Sequence, residues 1–276
     1  MTASSTGPSP GTVPSSTGTS PGTTPATPGT PVAGMAALVT AASRGFGRAI
    51  AIALSKAGAK VTGVARDRGR LADLQAELGP SFTPVAADAT DPTVAGQLID
   101  AYRPGILVLN AGASPLPRPI QQQTWETFSR AWDTDVQHVF HWVREALLAP
   151  LVPGSVVVTL SSGAALRGSP LSGGYAGAKA TIRFVTGYAA EESGRGGLGI
   201  RFVSVLPQLT PATTLGAAAV AAYAAREGLD VASYLAGQGP PLTPDRAGQA
   251  IVDLVTGGHP GQDAYLLTAA GLHPVP

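Results

Sequence analysis

The chain has 276 residues, a formal net charge of +1, 13% charged side chains and no cysteine. The missing cysteine excludes disulfides and thiolate metal sites, and the near-zero charge offers nothing to attract nucleic acid or an anionic membrane. Length and apolar content suit one globular domain.

Residues 1–34 are Thr, Ser, Pro and Gly with a few Ala and Val, and the first charged side chain is Arg44. Such a segment buries too little apolar surface to offset its ordering entropy. It is expected to be a flexible, dispensable tail ahead of a domain spanning 35–276. It lacks the basic start and apolar core of a secretory signal. No run is long and apolar enough to span a membrane, so a soluble cytoplasmic protein is expected.

Ala36–Thr40 reads as a short buried strand. A glycine-bearing turn follows over 41–47, then a helix over 48–57 that Gly58 ends. Lys60–Ala65 completes a βαβ unit, whose turn points backbone N–H groups and a helix N-terminus at a pyrophosphate. Alternation then continues. Helices are expected over Arg68–Leu78, 93–102, 124–148 and 174–192. Strands are expected over Phe82–Ala86, Ile106–Leu109, Val156–Leu160 and 200–206. A helix over 245–256 and a strand over Ala264–Thr268 close the chain. This order predicts an α/β fold with a doubly wound parallel sheet, Rossmann-like, in a single domain. Residues 208–242 break the alternation, with helices expected over 215–226 and Val231–Ala236. Their apolar side chains, Leu209, Leu215, Val220, Tyr223, Tyr234 and Leu235, either face an apolar substrate or pack this segment onto the core.

Tyr175 and Lys179 are four apart on a helix and share a face. Ser162 follows the fifth strand, so a strand end, a loop and a helix bring a hydroxyl, a phenol and an ammonium together. An ammonium favours the ionised form of a neighbouring phenol, which makes the phenol a usable proton donor and acceptor. A Tyr-x-x-x-Lys pair alone usually marks a solvated helix face; the glycine turn near the other end of the chain gives it weight. The histidines are His138, His141, His259 and His273. No carboxylate-and-histidine set completes a metal site, so surface or interface positions are expected for them.

Together these features resemble the short-chain dehydrogenase/reductase family, from Met35 to about Leu267. TAASRGFG, from Thr40 to Gly47, is similar to the family's Thr-Gly-x-x-x-Gly-x-Gly. Asp88 matches its adenine-contacting Asp, Asn110-Ala111-Gly112 the Asn-Ala-Gly closing its fourth strand, and Ser162 precedes Tyr175 by the usual interval. The resemblance implies a catalytic set of Ser162, Tyr175, Lys179 and Asp135, the last standing where the family's tetrad has Asn. It implies a nucleotide held by Thr40, Ser43, Arg44, Gly45, Phe46, Gly47, Arg66, Asp88, Ala89, Asn110, Ala111, Gly112, Pro207 and Thr210, with Tyr175 and Lys179. It makes the segment over about 208–242 a substrate lid. It also implies a homodimer or homotetramer through the helices over 124–148 and 174–192, where Trp132, Phe140, Trp142 and Phe184 are more bulk than one sheet face buries.

Departures from the family pattern cluster at the site. Ala41 replaces its first glycine, which is tolerable only if the turn needs no positive φ there. Gln208 follows Pro207 where Gly is usual, and Ala212 replaces a Thr that often contacts the nicotinamide amide. The implied function is an NADP(H)-dependent oxidoreductase. It would transfer a hydride between nicotinamide and a carbonyl or secondary alcohol of a small apolar substrate, with Tyr175 as general acid/base. The alternative is a non-redox enzyme of cyclisation, dehydration or isomerisation, or a nucleotide-binding module. NADP(H) is expected because Ala65 stands where NAD-preferring relatives carry Asp, and Arg44 and Arg66 suit a 2′-phosphate. Asp67 is expected to point to the other side of the strand end.

Overall fold

The computed structural model describes Met1, residues 32–257 and residues 261–275. Of the expected tail, residues 2–31 lie outside the described residues, as does His259. Val32 belongs to the body: it is buried in the core, and Gly34 N–H donates to Gly58 O at 2.9 Å.

The eight-stranded sheet runs β3-β2-β1-β4-β5-β6-β7-β8. Its strands are β1 (Ala36–Thr40), β2 (Lys60–Ala65), β3 (Phe82–Ala86), β4 (Ile106–Leu109), β5 (Val156–Leu160), β6 (Arg201–Pro207), β7 (Ala264–Thr268) and β8 (Gly271–Pro274). The first seven are parallel, and β8 pairs antiparallel with β7. Strand β8 has no counterpart in the sequence reading, being a four-residue edge with an exposed His273 and a terminal Pro274.

The helices are α1 (Gly45–Lys56), α2 (Arg68–Leu78), α3 (Pro92–Tyr102), α4 (Trp125–Ala131), α5 (Gln137–Leu148), α6 (Ala164–Arg167), α7 (Gly173–Arg195), α8 (Thr214–Arg226), α9 (Val231–Ala236) and α10 (Pro244–Val255). They cover both faces of the sheet, which explains the continuous apolar strands. Ala37, Val39, Val156 and Val158 join one core cluster, whereas Leu38 and Val157 join the other. Among the described residues no helix is long and apolar enough to cross a membrane.

The helix expected over 124–148 is interrupted. Between α4 and α5, Trp132–Val136 form one wide π-helical turn. A π-bulge adds a residue to a turn and is often found at functional sites; Asp135 lies in this one. Trp142, expected among the interface aromatics, is instead fully buried, and its indole N–H donates to Ala89 O at 2.8 Å. His138, expected at a surface or an interface, is also fully buried within the subunit. Both side chains fall on the face of α5 that meets the sheet.

Candidate active site

The carboxyl ends of the central parallel strands open onto a cavity of about 740 Å³. This is where an open α/β sheet places its ligands, at the point where strand order reverses between β1 and β4. Of the expected site residues, Arg44, Gly45, Phe46, Asn110, Gly112, Asp135, Ser162, Tyr175, Lys179, Pro207 and Thr210 line it. Thr40, Ser43, Gly47, Arg66, Asp88, Ala89 and Ala111 do not.

Thr40 is buried beneath the glycine turn and ties β1 to β4. Its Oγ1 accepts from Asn110 N–H at 2.9 Å and Ala111 N–H at 3.1 Å. Asn110 Nδ2 donates to Thr40 O at 3.3 Å. Gly47 is required by space, since a Cβ there would come within 2.3 Å of Ala41 O. Ala41 sits at φ +52°, in the left-handed region. The turn thus does need positive φ where the chain has alanine, so its methyl is strained and not accommodated. Arg44, the residue before α1, makes no side-chain cap, so the first N–H groups of the helix remain available at the cavity.

Beyond β2 and β3, Asp88 Oδ1 accepts from Thr90 N–H at 3.0 Å and Thr90 Oγ1 at 2.9 Å. Those Thr90 hydrogen bonds, led by the backbone N–H and joined by the charge of Arg66, hold its carboxyl below the usual range against the effect of burial. Arg66 lies 4.0 Å from Asp88 and its side chain is 81% exposed. Asp67 caps α2, accepting from Arg70 N–H at 3.1 Å, which occupies it locally.

Tyr175 and Lys179 lie on α7, with Lys179 Nζ 5.5 Å from the Tyr175 ring centroid. Lys179 Nζ donates to Leu160 O at 3.0 Å and lies 3.1 Å from Asp135 Oδ2. That oxygen accepts no well-directed hydrogen bond among the described residues, so the attraction is chiefly one of charge. Asp135 Oδ1 accepts from Ala113 N–H at 2.7 Å. Gly112 leaves room for this carboxylate, because a Cβ there would lie 2.7 Å from Asp135 Oδ2. Burial disfavours the Lys179 ammonium, but the charges of Asp135 and then Tyr175 outweigh it, and the net direction is up from 10.5. Ser162 follows β5, its Oγ accepting from Ala164 N–H at 3.2 Å.

The segment expected as a lid forms α8 and α9. Tyr223 and Tyr234 stack across them with centroids 6.4 Å apart, and both line the cavity. Tyr223 also hydrogen-bonds Ser169 in the loop before α7. Thr210 is buried with its hydroxyl donating to Leu242 O at 2.5 Å. The partners Ala113 and Leu160 act through backbone atoms, which carry no sequence signal; Arg167 and Ser169 stand in no recognised motif.

A family model described as short chain dehydrogenase matches residues 35–224. The chain is 34% identical over 164 residues to the D-erythrulose reductase of Gallus gallus, covering 58% of this chain and 66% of that protein, just under two thirds. It is 31% identical over 183 residues to the L-xylulose reductase of Cavia porcellus, covering 65% of this chain and 74% of that protein. In fold it is similar to the 3-ketoacyl-(acyl-carrier-protein) reductase of Brucella melitensis, solved with NADH. There the TM-score is 0.71 at 24% identity, over 86% of this chain and 98% of that one. With the sheet order, the glycine turn and the Ser162, Tyr175 and Lys179 set in place, the chain belongs to the short-chain dehydrogenase family.

Proposed function

We propose that the protein is an NADP(H)-dependent oxidoreductase acting on a carbonyl or secondary alcohol. The observation that carries this reading is one cavity shared by the glycine turn and by Ser162, Tyr175 and Lys179. The residues fit a dinucleotide: the start of α1 is uncapped, the turn has no room for a side chain at Gly47, and Asn110 and Gly112 continue the wall. When bound, the nicotinamide exchanges a hydride with the carbonyl carbon. Tyr175 gives its proton to the carbonyl oxygen in reduction and takes it back in oxidation. Ser162 hydrogen-bonds that oxygen and orients it. Lys179 stays an ammonium beside Tyr175, and Asp135 fixes its position from behind.

Arg44 and Arg66 support NADP(H). Both are exposed, and no carboxylate replaces Ala65. Charge-assisted guanidinium–phosphate bonds favour NADPH over NADH by on the order of 10²-fold. The relatives named as reductases of erythrulose and xylulose support a small carbonyl substrate. A homodimer or homotetramer and a cytoplasmic location belong to the same reading. The test is dissociation constants for NADPH and NADH, together with absorbance at 340 nm over a carbonyl panel. NADPH consumption and a loss of discrimination in Arg44→Ala and Arg66→Ala are expected. Substrate turnover with no change at 340 nm would favour non-redox chemistry instead.

A further inference from the structure

We propose that Arg167 selects a substrate carrying a carboxylate on an apolar body, an oxo acid or hydroxy acid whose anion lies away from the reacting carbon. The inference rests on the oxidoreductase reading of the cavity and names the substrate class for it. Four charged side chains line the cavity: Arg44, Asp135, Arg167 and Lys179. Asp135 and Lys179 are paired at 3.1 Å, and Arg44 stands on the glycine turn at the start of α1. Arg167 is the charge left for the substrate. It ends α6, in the 162–175 segment that carries both the Ser162 and Tyr175 hydroxyls.

Arg167 is held on a defined turn. Gly168, at φ +76°, closes that turn by donating its N–H to Ala164 O at 2.8 Å. The guanidinium has no ion pair or hydrogen bond among the described residues, and no acidic side chain other than Asp135 lines the cavity. Arg167 is itself exposed, and the cavity that it lines also presents Leu166, Leu209, Leu215 and Leu266, with the stacked Tyr223 and Tyr234. Ser169, two residues past Arg167, hydrogen-bonds Tyr223 and so ties this segment to the lid. A guanidinium with free donors suits a carboxylate, which it can bind in a forked pair. Neutral carbonyl compounds would leave it unused.

The test uses 4-formylbenzoate and its methyl ester, the same aromatic aldehyde with and without a charge. With the nicotinamide cofactor the protein accepts, the acid is expected to exceed the ester in kcat/KM by about tenfold, mainly through KM. That ratio should fall to about one in Arg167→Gln and invert in Arg167→Glu. A parent ratio near one, or an unchanged ratio in both variants, overturns the inference while leaving the oxidoreductase reading intact. If neither aldehyde is reduced with NADPH or NADH, the oxidoreductase reading fails for this class, and calorimetry decides on Arg167 alone. Affinities for 4-(hydroxymethyl)benzoate and its methyl ester should then differ about tenfold in the parent and coincide in Arg167→Gln; equal affinities in the parent overturn the inference.

Discussion

Lys179 Nζ lies 3.1 Å from Asp135 Oδ2, and the two side chains are only 7% and 1% exposed. A buried carboxylate thus holds the ammonium that stands beside Tyr175. Removing one member of a buried pair leaves the other uncompensated, at a cost of about 3 kcal/mol. Asp135→Asn should lower stability by that order. Lys179 is raised above 10.5 in the fold, so the stability it contributes is present below that pH and lost as pH climbs through the raised value. In the Asn variant burial dominates and pulls the Lys179 pKa below its unfolded value, so the unfolded chain binds the proton more readily and the variant should gain stability as pH rises. Denaturant unfolding at pH 7 and 9.5 checks this: a flat parent and a variant that is weaker at pH 7 and recovers toward pH 9.5 are expected, and a variant as stable as the parent at both would contradict it.

His138 follows Asp135 by one turn, fully buried, with neither ring nitrogen hydrogen-bonded among the described residues. Burial, then the charge of Lys179, lowers its pKa from 6.5 to about 3, and Asp88 offsets them only in part. The unfolded chain therefore binds a proton that the fold refuses between those values. Stability should fall as pH drops below 6.5, by up to about 1.4 kcal/mol per unit. His138→Leu removes that proton and the two unsatisfied nitrogens, so it should be neutral or stabilising at pH 7 and flatten the acid limb. Unfolding free energies at pH 7.5 and 5 measure the slope; an equally steep variant refutes the assignment.

Ala41 at φ +52° is an L-residue held where glycine is favoured, at about 1–2 kcal/mol. Part of that is returned by the greater freedom of glycine in the unfolded chain. Ala41→Gly should raise the denaturant midpoint by an amount equivalent to about 0.5–1 kcal/mol. A lowered midpoint would show that the turn is not strained at this residue.

Phe140, Phe184 and Tyr188 are 50%, 66% and 63% exposed on α5 and α7. Large apolar side chains left on neighbouring helices suit a surface that another subunit covers. Light scattering at micromolar concentration should give a dimer or tetramer, and Phe184→Glu should shift it toward monomer. A monomeric parent removes the proposal.

The sheet was legible because its strands are buried on both faces and bounded by Gly and Pro, as in VVVTL of β5. Strand β8 was not, being a short exposed edge. Tyr175 and Lys179 of α7 were legible from their four-residue spacing, because a helix turns that spacing into proximity. Asp135 was found only by its place in a family pattern; its ion pair depends on a π-turn that no periodicity marks. Trp142 was misplaced because it counted only as surplus bulk, and His138 because it counted only as a metal ligand; neither property tells which face of α5 meets the core. Ala41 was identified as a departure, but only the backbone angle shows that the turn does require positive φ there.

Tyr175 is proposed to transfer the proton that accompanies hydride transfer. The most direct test is the rate of NADPH oxidation at 340 nm with the best carbonyl substrate, in the parent and in Tyr175→Phe, alongside melting temperature and NADPH binding. Loss of a positioned general acid predicts a rate lower by about 10²–10⁴-fold, with the fold intact and NADPH still bound. A folded variant that keeps more than about a tenth of the parent rate would contradict the account.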